Sequence, residues 1–211
     1  METINITYAV TVCNELEEIT KLINFLHPRI QSDDEILIQY DEGGVTEGVM
    51  DYLRIINDLH DNIKVVGFPL NKDFASFKNN LKENANGIFI FQIDADELPS
   101  EYLLENIHML LDYNKDVDLF FVPRVNTVEG LTNEHIQKWG WNLNEKGWVN
   151  WPDLQTRLYR RTSEIEWEGK VHERIKGYNT LTIFPLEEEY ALYHPKHIER
   201  QERQNALYET I

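Results

Sequence analysis

Residues 87–97 read Gly87-Ile-Phe-Ile-Phe-Gln-Ile-Asp94-Ala-Asp96-Glu97, an apolar, strand-forming run that ends abruptly in three acids. In an extended segment side chains alternate, so Asp94 and Asp96 project to one side, about 7 Å apart along the chain. Two carboxylates held that close repel unless a cation lies between them, and hard oxygen ligands suit Mg²⁺ or Mn²⁺. Carboxylates just past a strand's carboxyl end are also where open α/β sheets place their ligands. The competing reading is a strand followed by a turn, with Asp96 or Ser100 capping a helix that starts near Pro99.

On either side of this stretch, strands and helices alternate. Upstream, Ile4–Val12, Glu35–Tyr40 and Asn62–Phe68 are short β-branched or aromatic runs that read as strands. Between them lie amphipathic segments: Leu16, Ile19, Leu22, Ile23 and Leu26 at helical spacing before Pro28, then Thr46–His60 with Val49, Leu53, Ile56 and Leu59 facing inward. Asp73–Asn86 and Ser100–Tyr113 flank the central strand as helices, and Val117–Val125 is the next strand. After Asp41-Glu42, the pair Gly43-Gly44 lets the backbone turn sharply. The β-α order predicts an α/β fold, a mostly parallel sheet with helices on both faces. The first turn lacks both G-x-G-x-x-G and G-K-[ST], so neither a dinucleotide fingerprint nor a P-loop is present. A nucleotide held here is held by acids and a metal.

From about Val125 the character changes. Residues 126–150 place Trp139, Trp141 and Trp148 among Gly130, Gly140 and Gly147 with weak periodicity, which reads as a long loop with short helical pieces. Gln155–Arg161 returns to alternation and Glu164–Glu168 is expected to pair with it. Thr180–Phe184 and Tyr190–Tyr193 read as short strands and Ile198–Glu209 as a charged helix. Residues 1–211 are thus expected to form one domain, with 1–125 as its nucleotide-binding part and 126–211 extending the sheet as the acceptor side of a cleft.

Composition bounds the function. The 211 residues carry a net charge of −17, which disfavours a broad footprint on nucleic acid or anionic lipid but leaves room for a local basic groove. There is no apolar run near the roughly 20 residues of a membrane span and no basic, apolar leader at the start. Cys13 is the only cysteine, so an internal disulfide is impossible and a cytoplasmic location is expected. Without a histidine partner nearby, Cys13 reads as a small buried residue.

Several residues also stand in a telling order: Val12-Cys13-Asn14-Glu15, Asp41, Asn71 to Asp73-Phe74-Ala75 and Asn79, then Asp94-Ala95-Asp96-Glu97. Trp151-Pro152-Asp153-x-Gln155-x-Arg157-Leu158, Trp167-x-Gly169-x-Val171-His172-Glu173 and Tyr193-His194 complete the set. In these motifs, which span almost the whole chain, the sequence resembles inverting GT-A glycosyltransferases of the family-2 type, within them a small bacterial and phage branch.

The resemblance implies a GT-A fold with a C-terminal acceptor-side extension, and a nucleotide-sugar donor, most often a UDP-sugar, bound across the first sheet. It assigns Val12, Asn14, Glu15 and Asp41 to the base and ribose, with Asp73 and Arg157 on the donor side. Asp96 would hold a Mn²⁺ or Mg²⁺ cofactor, and Asp94 would share the metal or lie beside the ribose. His172 and His194 match positions where the wider fold uses a late histidine as a metal ligand; the plainer reading is packing. Arg157 has surface ion pairing as its alternative. An inverting transfer needs one general base, and the family position points to Asp153, although relatives carry Glu-Asp where this chain has Pro152-Asp153. Glu173 therefore competes. The tryptophans of 139–151 either stack on sugar rings or pack the loop. The acceptor stays open among glycans, peptides, lipid-linked sugars and a modified DNA base. Two rivals are a catalytically silent nucleotide-sugar or glycan-binding module and a nucleotidyltransferase, the latter disfavoured because Val12–Glu15 lacks a Gly-rich basic loop.

Overall fold

The computed structural model describes residues 4–208. The first half runs β1 (Ile6–Val12), α1 (Leu16–Leu26), β2 (Glu35–Asp41), α2 (Glu47–Leu59), β3 (Ile63–Phe68), α3 (Phe74–Asn84) and β4 (Phe89–Asp94). Then come a two-residue β5 (Leu98–Pro99), α4 (Glu101–Tyr113), β6 (Leu119–Glu129), α5 (Asn133–Trp139) and β7 (Val149–Arg160). The rest is β8 (Glu166–Glu168), β9 (Arg174–Lys176), β10 (Leu181–Ile183), β11 (Leu192–His197) and α6 (Ile198–Tyr208). Glu209, the expected last residue of α6, lies outside the described residues.

The strands form a nine-stranded mixed sheet in the order β3-β2-β1-β4-β7-β6-β11-β5, with β10 pairing β6 off that path. β1 to β4 are mutually parallel, as the β-α alternation requires. On one face Tyr8, Val10 and Val12 of β1 pack with Ile19 and Leu22 of α1, Leu53 of α2 and Leu103 and Ile107 of α4. On the other, Ala9 packs with Ala75 and Leu81 of α3 and with Trp167 and Ile175 of the two-stranded β8-β9 sheet. Ser100 caps α4, its Oγ accepting from Leu103 N at 3.0 Å, as one reading of this segment expected. Among the described residues no helix is long and apolar enough to cross a membrane.

Two expectations change, the strand partner of residues 164–168 and the burial of Leu59. The strand after α4 does not lie beside β4: β7 inserts between β4 and β6, antiparallel to both. β7 then has both edges occupied, so the segment at 166–168 cannot pair with it and pairs with β9 instead. Asn79 of α3 holds that segment by bonding both the N–H and C=O of Trp167 at 2.8 Å. Gly43 and Gly44 do not adopt the left-handed conformation. Gly44 is needed for close approach, because a Cβ there would lie 2.7 Å from Cys13 Sγ. Leu59, the last residue of α2, is 69% exposed instead of buried.

Gly87 is the tightest point of the central strand pair. A Cβ on it would fall 2.4 Å from Thr7 N and 2.8 Å from Ile6 C, backbone atoms of β1 that cannot swing aside. Gly87→Ala should therefore destabilise the protein by about 1–3 kcal/mol, the usual cost of overpacking, read as a lowered urea midpoint at unchanged slope.

Candidate functional site

β1, β2 and β4 end at the same edge of the sheet. A cleft of about 1050 Å³ opens there, lined by Thr11–Glu15, Asp41, Asp94–Asp96 and, from the second half, Arg124, Asn126, Asp153, Arg157, Trp167, Val171–Glu173, His194 and Arg200. Ligands of open α/β sheets bind at this edge.

Each of the three acids of the opening stretch faces a cation, and two of them share Arg157. Asp94 accepts from Thr11 Oγ1 at 3.0 Å and from Arg157 Nη2 at 2.6 Å. Burial works to raise its pKa, but the Arg157 and Lys78 charges hold it well below the usual carboxylate range. Asp96 Oδ2 lies 3.3 Å from both His194 Nε2 and Arg200 Nη2. Burial opposes its ionisation too, yet His194 and Arg200 bring its pKa down to about 2. Glu97 has no exposed side-chain surface. Its Oε1 accepts from Arg157 at 2.6 Å and Arg124 at 2.9 Å, and its Oε2 accepts from Asp94 N at 3.1 Å. The repulsion expected between the paired acids is thus answered by protein cations.

Arg157 is 4% exposed and pinned between two carboxylates. Burial disfavours its charge, but Asp94 and Glu97 outweigh that and raise its pKa above the ordinary arginine value. It belongs to the floor of the cleft and not to a surface ion pair. Asp153 sits within strand β7 opposite Arg124, directly after the cis Trp151–Pro152 peptide. Its Oδ2 accepts from Arg124 Nε (2.8 Å) and Asn126 Nδ2 (2.8 Å) and is ion-paired with Arg124 Nη2 at 2.7 Å, and its Oδ1 accepts from Gln155 Nε2 (2.7 Å). Burial pushes Asp153 up, but Arg124 and these donors outweigh it and lower its pKa.

Asn126 also fixes a tautomer. Its Nδ2 is spent on Asp153, so its Oδ1, 2.8 Å from His194 Nδ1, accepts a proton held there. Nε2 of His194 is the atom left facing Asp96. Glu173 is paired with Lys78, which is 7% exposed and lies 4.4 Å from the centre of the Trp167 ring. His172 lines the same cleft with a left-handed backbone, φ 57°. Among the described residues no three His, Cys, Asp or Glu side chains are gathered as a metal-holding group, so the four expected ligands do not meet at one point.

Where β1 ends, Glu15 Oε2 accepts from Cys13 N at 2.8 Å and Asn14 N at 3.0 Å, and its Oε1 lies 3.3 Å from Arg200. Asp41 Oδ1 shapes its own turn by accepting from Gly43 N at 3.0 Å and Leu70 N at 2.9 Å. Burial, with Glu15 and Asp41, pushes the Cys13 thiol up, which fits an unreactive residue. Asp73 is not among the residues that line the cleft; it caps α3, accepting from Ser76 N at 3.0 Å, the role its position before the helix favours. Of the tryptophans, Trp148 is buried against Trp151, while Trp141 and Trp167 border the cleft.

Glu97 is part of the acidic stretch but its place under the cleft is not legible there, and Lys78, Arg124, Asn126 and Arg200 are not singled out by the sequence. Two carry a signal. Lys78 is spaced by three from Ala75 and Leu81 on the buried face of α3, and Arg124 is a charge inside the apolar run of residues 119–125. Arg200 carries none, because its partners Glu15, Glu18 and Asp96 lie more than 100 residues away.

The sequence pattern of glycosyl transferase family 2 matches residues 7–188. Among solved structures, residues 1–349 of S. aureus TarS in complex with UDP-GlcNAc superpose with a TM-score of 0.63 at 15% identity, covering 92% of this chain and 59% of that one. The same protein in complex with UDP gives 0.64 at 15% identity, with 91% and 60% covered. This chain therefore spans about 60% of the length of the TarS 1–349 structures, and at such identity the likeness shows the fold. None of the curated proteins matches the sequence.

Removing Arg157 leaves the sealed Glu97 and Asp94 short of a counter-charge. Arg157→Met should cost about 3–5 kcal/mol of stability, as for other half-broken buried pairs. Chemical denaturation checks this, and a loss under 1 kcal/mol would show that water reaches these carboxylates.

Proposed function

Because the chain belongs to glycosyl transferase family 2, we propose that it transfers a sugar, with inversion and with help from a divalent cation, from a nucleoside diphosphate sugar to a hydroxyl acceptor. The observation that carries this is the cleft itself: ionised Asp94 and Asp96 at the end of β4 and ionised Asp153 on β7 line one cavity of nucleotide-sugar size. UDP is the favoured nucleotide, since TarS of the same fold has been crystallised with UDP and UDP-GlcNAc.

The residues present fit a Mg²⁺ or Mn²⁺ through two protein ligands. Asp96 supplies an ionised oxygen and His194 an Nε2 aimed at it, oriented from behind by Asn126. Diphosphate oxygens and water would complete the shell, as is usual where Mg²⁺ meets a nucleotide. When bound, the cation offsets charge on the departing diphosphate. Asp94, committed to Arg157 and Thr11, is assigned to the ribose side. His172 is left to the rim of the cleft.

Asp153 is assigned as the base that takes the acceptor's proton. Glu173 is tied to Lys78 beside Trp167 and is assigned to sugar or acceptor contact. Asp41 receives the nucleoside, its Oδ2 having no hydrogen bond among the described residues. Six of the chain's 20 Lys and Arg line the cleft against seven of its 37 Asp and Glu. The strong negative charge of the whole is thus nearly balanced where an anionic donor binds.

A panel of nucleotide sugars with Mn²⁺, scored by UDP or GDP release, tests the reading. Binding without release from any donor would identify a nucleotide-sugar-binding module instead. Mn²⁺ and UDP together should raise Tm by more than the sum of each alone, and Asp96→Ala should abolish that excess; UDP affinity indifferent to Mn²⁺ would remove the metal from the scheme. Asp41→Asn should cost about 1.5–3 kcal/mol of UDP affinity, roughly tenfold or more, at nearly constant Tm. Unchanged affinity by calorimetry would take Asp41 out of the donor site.

A further inference from the structure

We propose that Arg124 is the positioning residue for the transfer, fixing the Asp153 carboxylate so that Oδ1 is the atom that receives the acceptor's proton. The proposal rests on the reading of Asp153 as the base.

The geometry is specific. Arg124 and Asn126 lie two apart on β6 and so face the same way. Both reach across to β7, and two of their N–H groups donate to Oδ2 of Asp153, with Arg124 Nη2 in ion-pair contact with the same oxygen. A carboxylate oxygen has two lone pairs, and both of those on Oδ2 are taken. Among the described residues Oδ1 accepts only from Gln155 and keeps a lone pair. The acceptor hydroxyl must therefore approach Oδ1, beside the Gln155 amide. There its proton passes to Oδ1 as the acceptor oxygen bonds the sugar carbon, and the diphosphate departs with the electron pair of the broken glycosidic bond.

Arg124 is itself held from behind. Its Nη1 donates to Glu97 Oε1, which is sealed from solvent and also takes Arg157. The guanidinium thus spends one nitrogen on its anchor and two on the base. Such a planar fork can bridge two carboxylates where a lysine ammonium cannot. The charged groups facing Asp153 are Arg124 from β6 and, behind it, Glu97 after β4 and Arg157 on β7 itself.

Loss of the Arg124 charge leaves burial, which raises the Asp153 pKa, without its main opponent. The deprotonated base then survives only at higher pH, so the acidic limb of any Asp153-dependent rate moves upward. The experiment follows the Asp153 carboxyl by ¹³C NMR titration of the whole chain, assigned with Asp153→Asn. UDP release from UDP-GlcNAc with Mn²⁺, water serving as acceptor, is measured in parallel across pH. In Arg124→Gln the carboxyl midpoint and the acidic limb should both rise by about 1–3 pH units. Arg124→Lys keeps the cation and guards against misfolding. It should hold the midpoint closer to that of the unsubstituted chain but lower kcat about tenfold or more at unchanged KM, because the bridge is lost.

An Asp153 midpoint indifferent to Arg124→Gln would overturn the proposal and leave the base assignment standing. If instead the midpoint moves but Asp153→Asn keeps the unsubstituted rate, the base reading fails, and with it the catalytic meaning of Arg124. Where UDP-GlcNAc is not turned over, the donor found in the nucleotide-sugar panel replaces it, and the titration decides on its own.

Discussion

A single buried carboxylate, Glu97, sets the terms for the rest of the site. A charge without solvent survives only if it is paired and hydrogen-bonded, and Glu97 meets that demand with two guanidinium groups and the backbone of Asp94. Arg157 comes from β7 and Arg124 from β6, so the carboxylate is satisfied only when β7 has paired with β4 and β6 with β7. Each arginine carries a second acid, Asp94 on one side and Asp153 on the other. The β4 wall and the β6-β7 wall of the cleft are thereby held together by alternating charge, not by apolar packing alone. Removing a member breaks compensation along the row, which is why these contacts are not interchangeable with exposed ion pairs such as Arg54–Asp51.

Much of the first half was legible in the sequence because its information is local. Period-two runs such as Glu35–Tyr40 and period-3.6 runs such as Leu16–Leu26 point to their elements directly, and the βα order dictates parallel pairing. The abrupt end of Gly87–Ile93 in acids located the cleft. Strand neighbours in the second half were not legible. Nothing within residues 149–160 says that the segment will slot between β4 and β6, and once it does, the pairing of 166–168 must change. Asp73 shows the same limit at one residue, since a helix cap and a ligand contact ask for the same side chain at the same place. The cations that answer the acidic stretch were hidden for a different reason: an arginine reads as surface until the carboxylates that bury it are seen.

The electrostatics also separate scale from location. A net charge of −17 describes the surface as a whole, and from it alone an anionic ligand looks unwelcome. The cleft inverts that impression by concentrating guanidinium and ammonium groups among its acids. Fields at a site are governed by groups within about a Debye length, roughly 8–10 Å at physiological salt, so the distant acids of α2 or α4 weigh little there.

The place of β7 has a temporal consequence. A chain emerging from its N-terminus can assemble β1 to β4 early, since β1, β2 and β3 are each one helix apart and β4, the partner of β1, is complete by residue 94. Yet the free edge of β4 stays open until residue 160 exists, and β6, made earlier, has to wait for a later segment before it can join the sheet. Pairings of such sequence separation form slowly because loop closure precedes their reward. During that interval Phe89 and Phe91 present an unpaired hydrophobic strand edge, the kind of surface that recruits neighbouring chains. Glu15, Glu17 and Glu18, already made by then, lend nascent molecules like charge, and mutual repulsion helps keep half-built copies apart while the sheet awaits its missing middle.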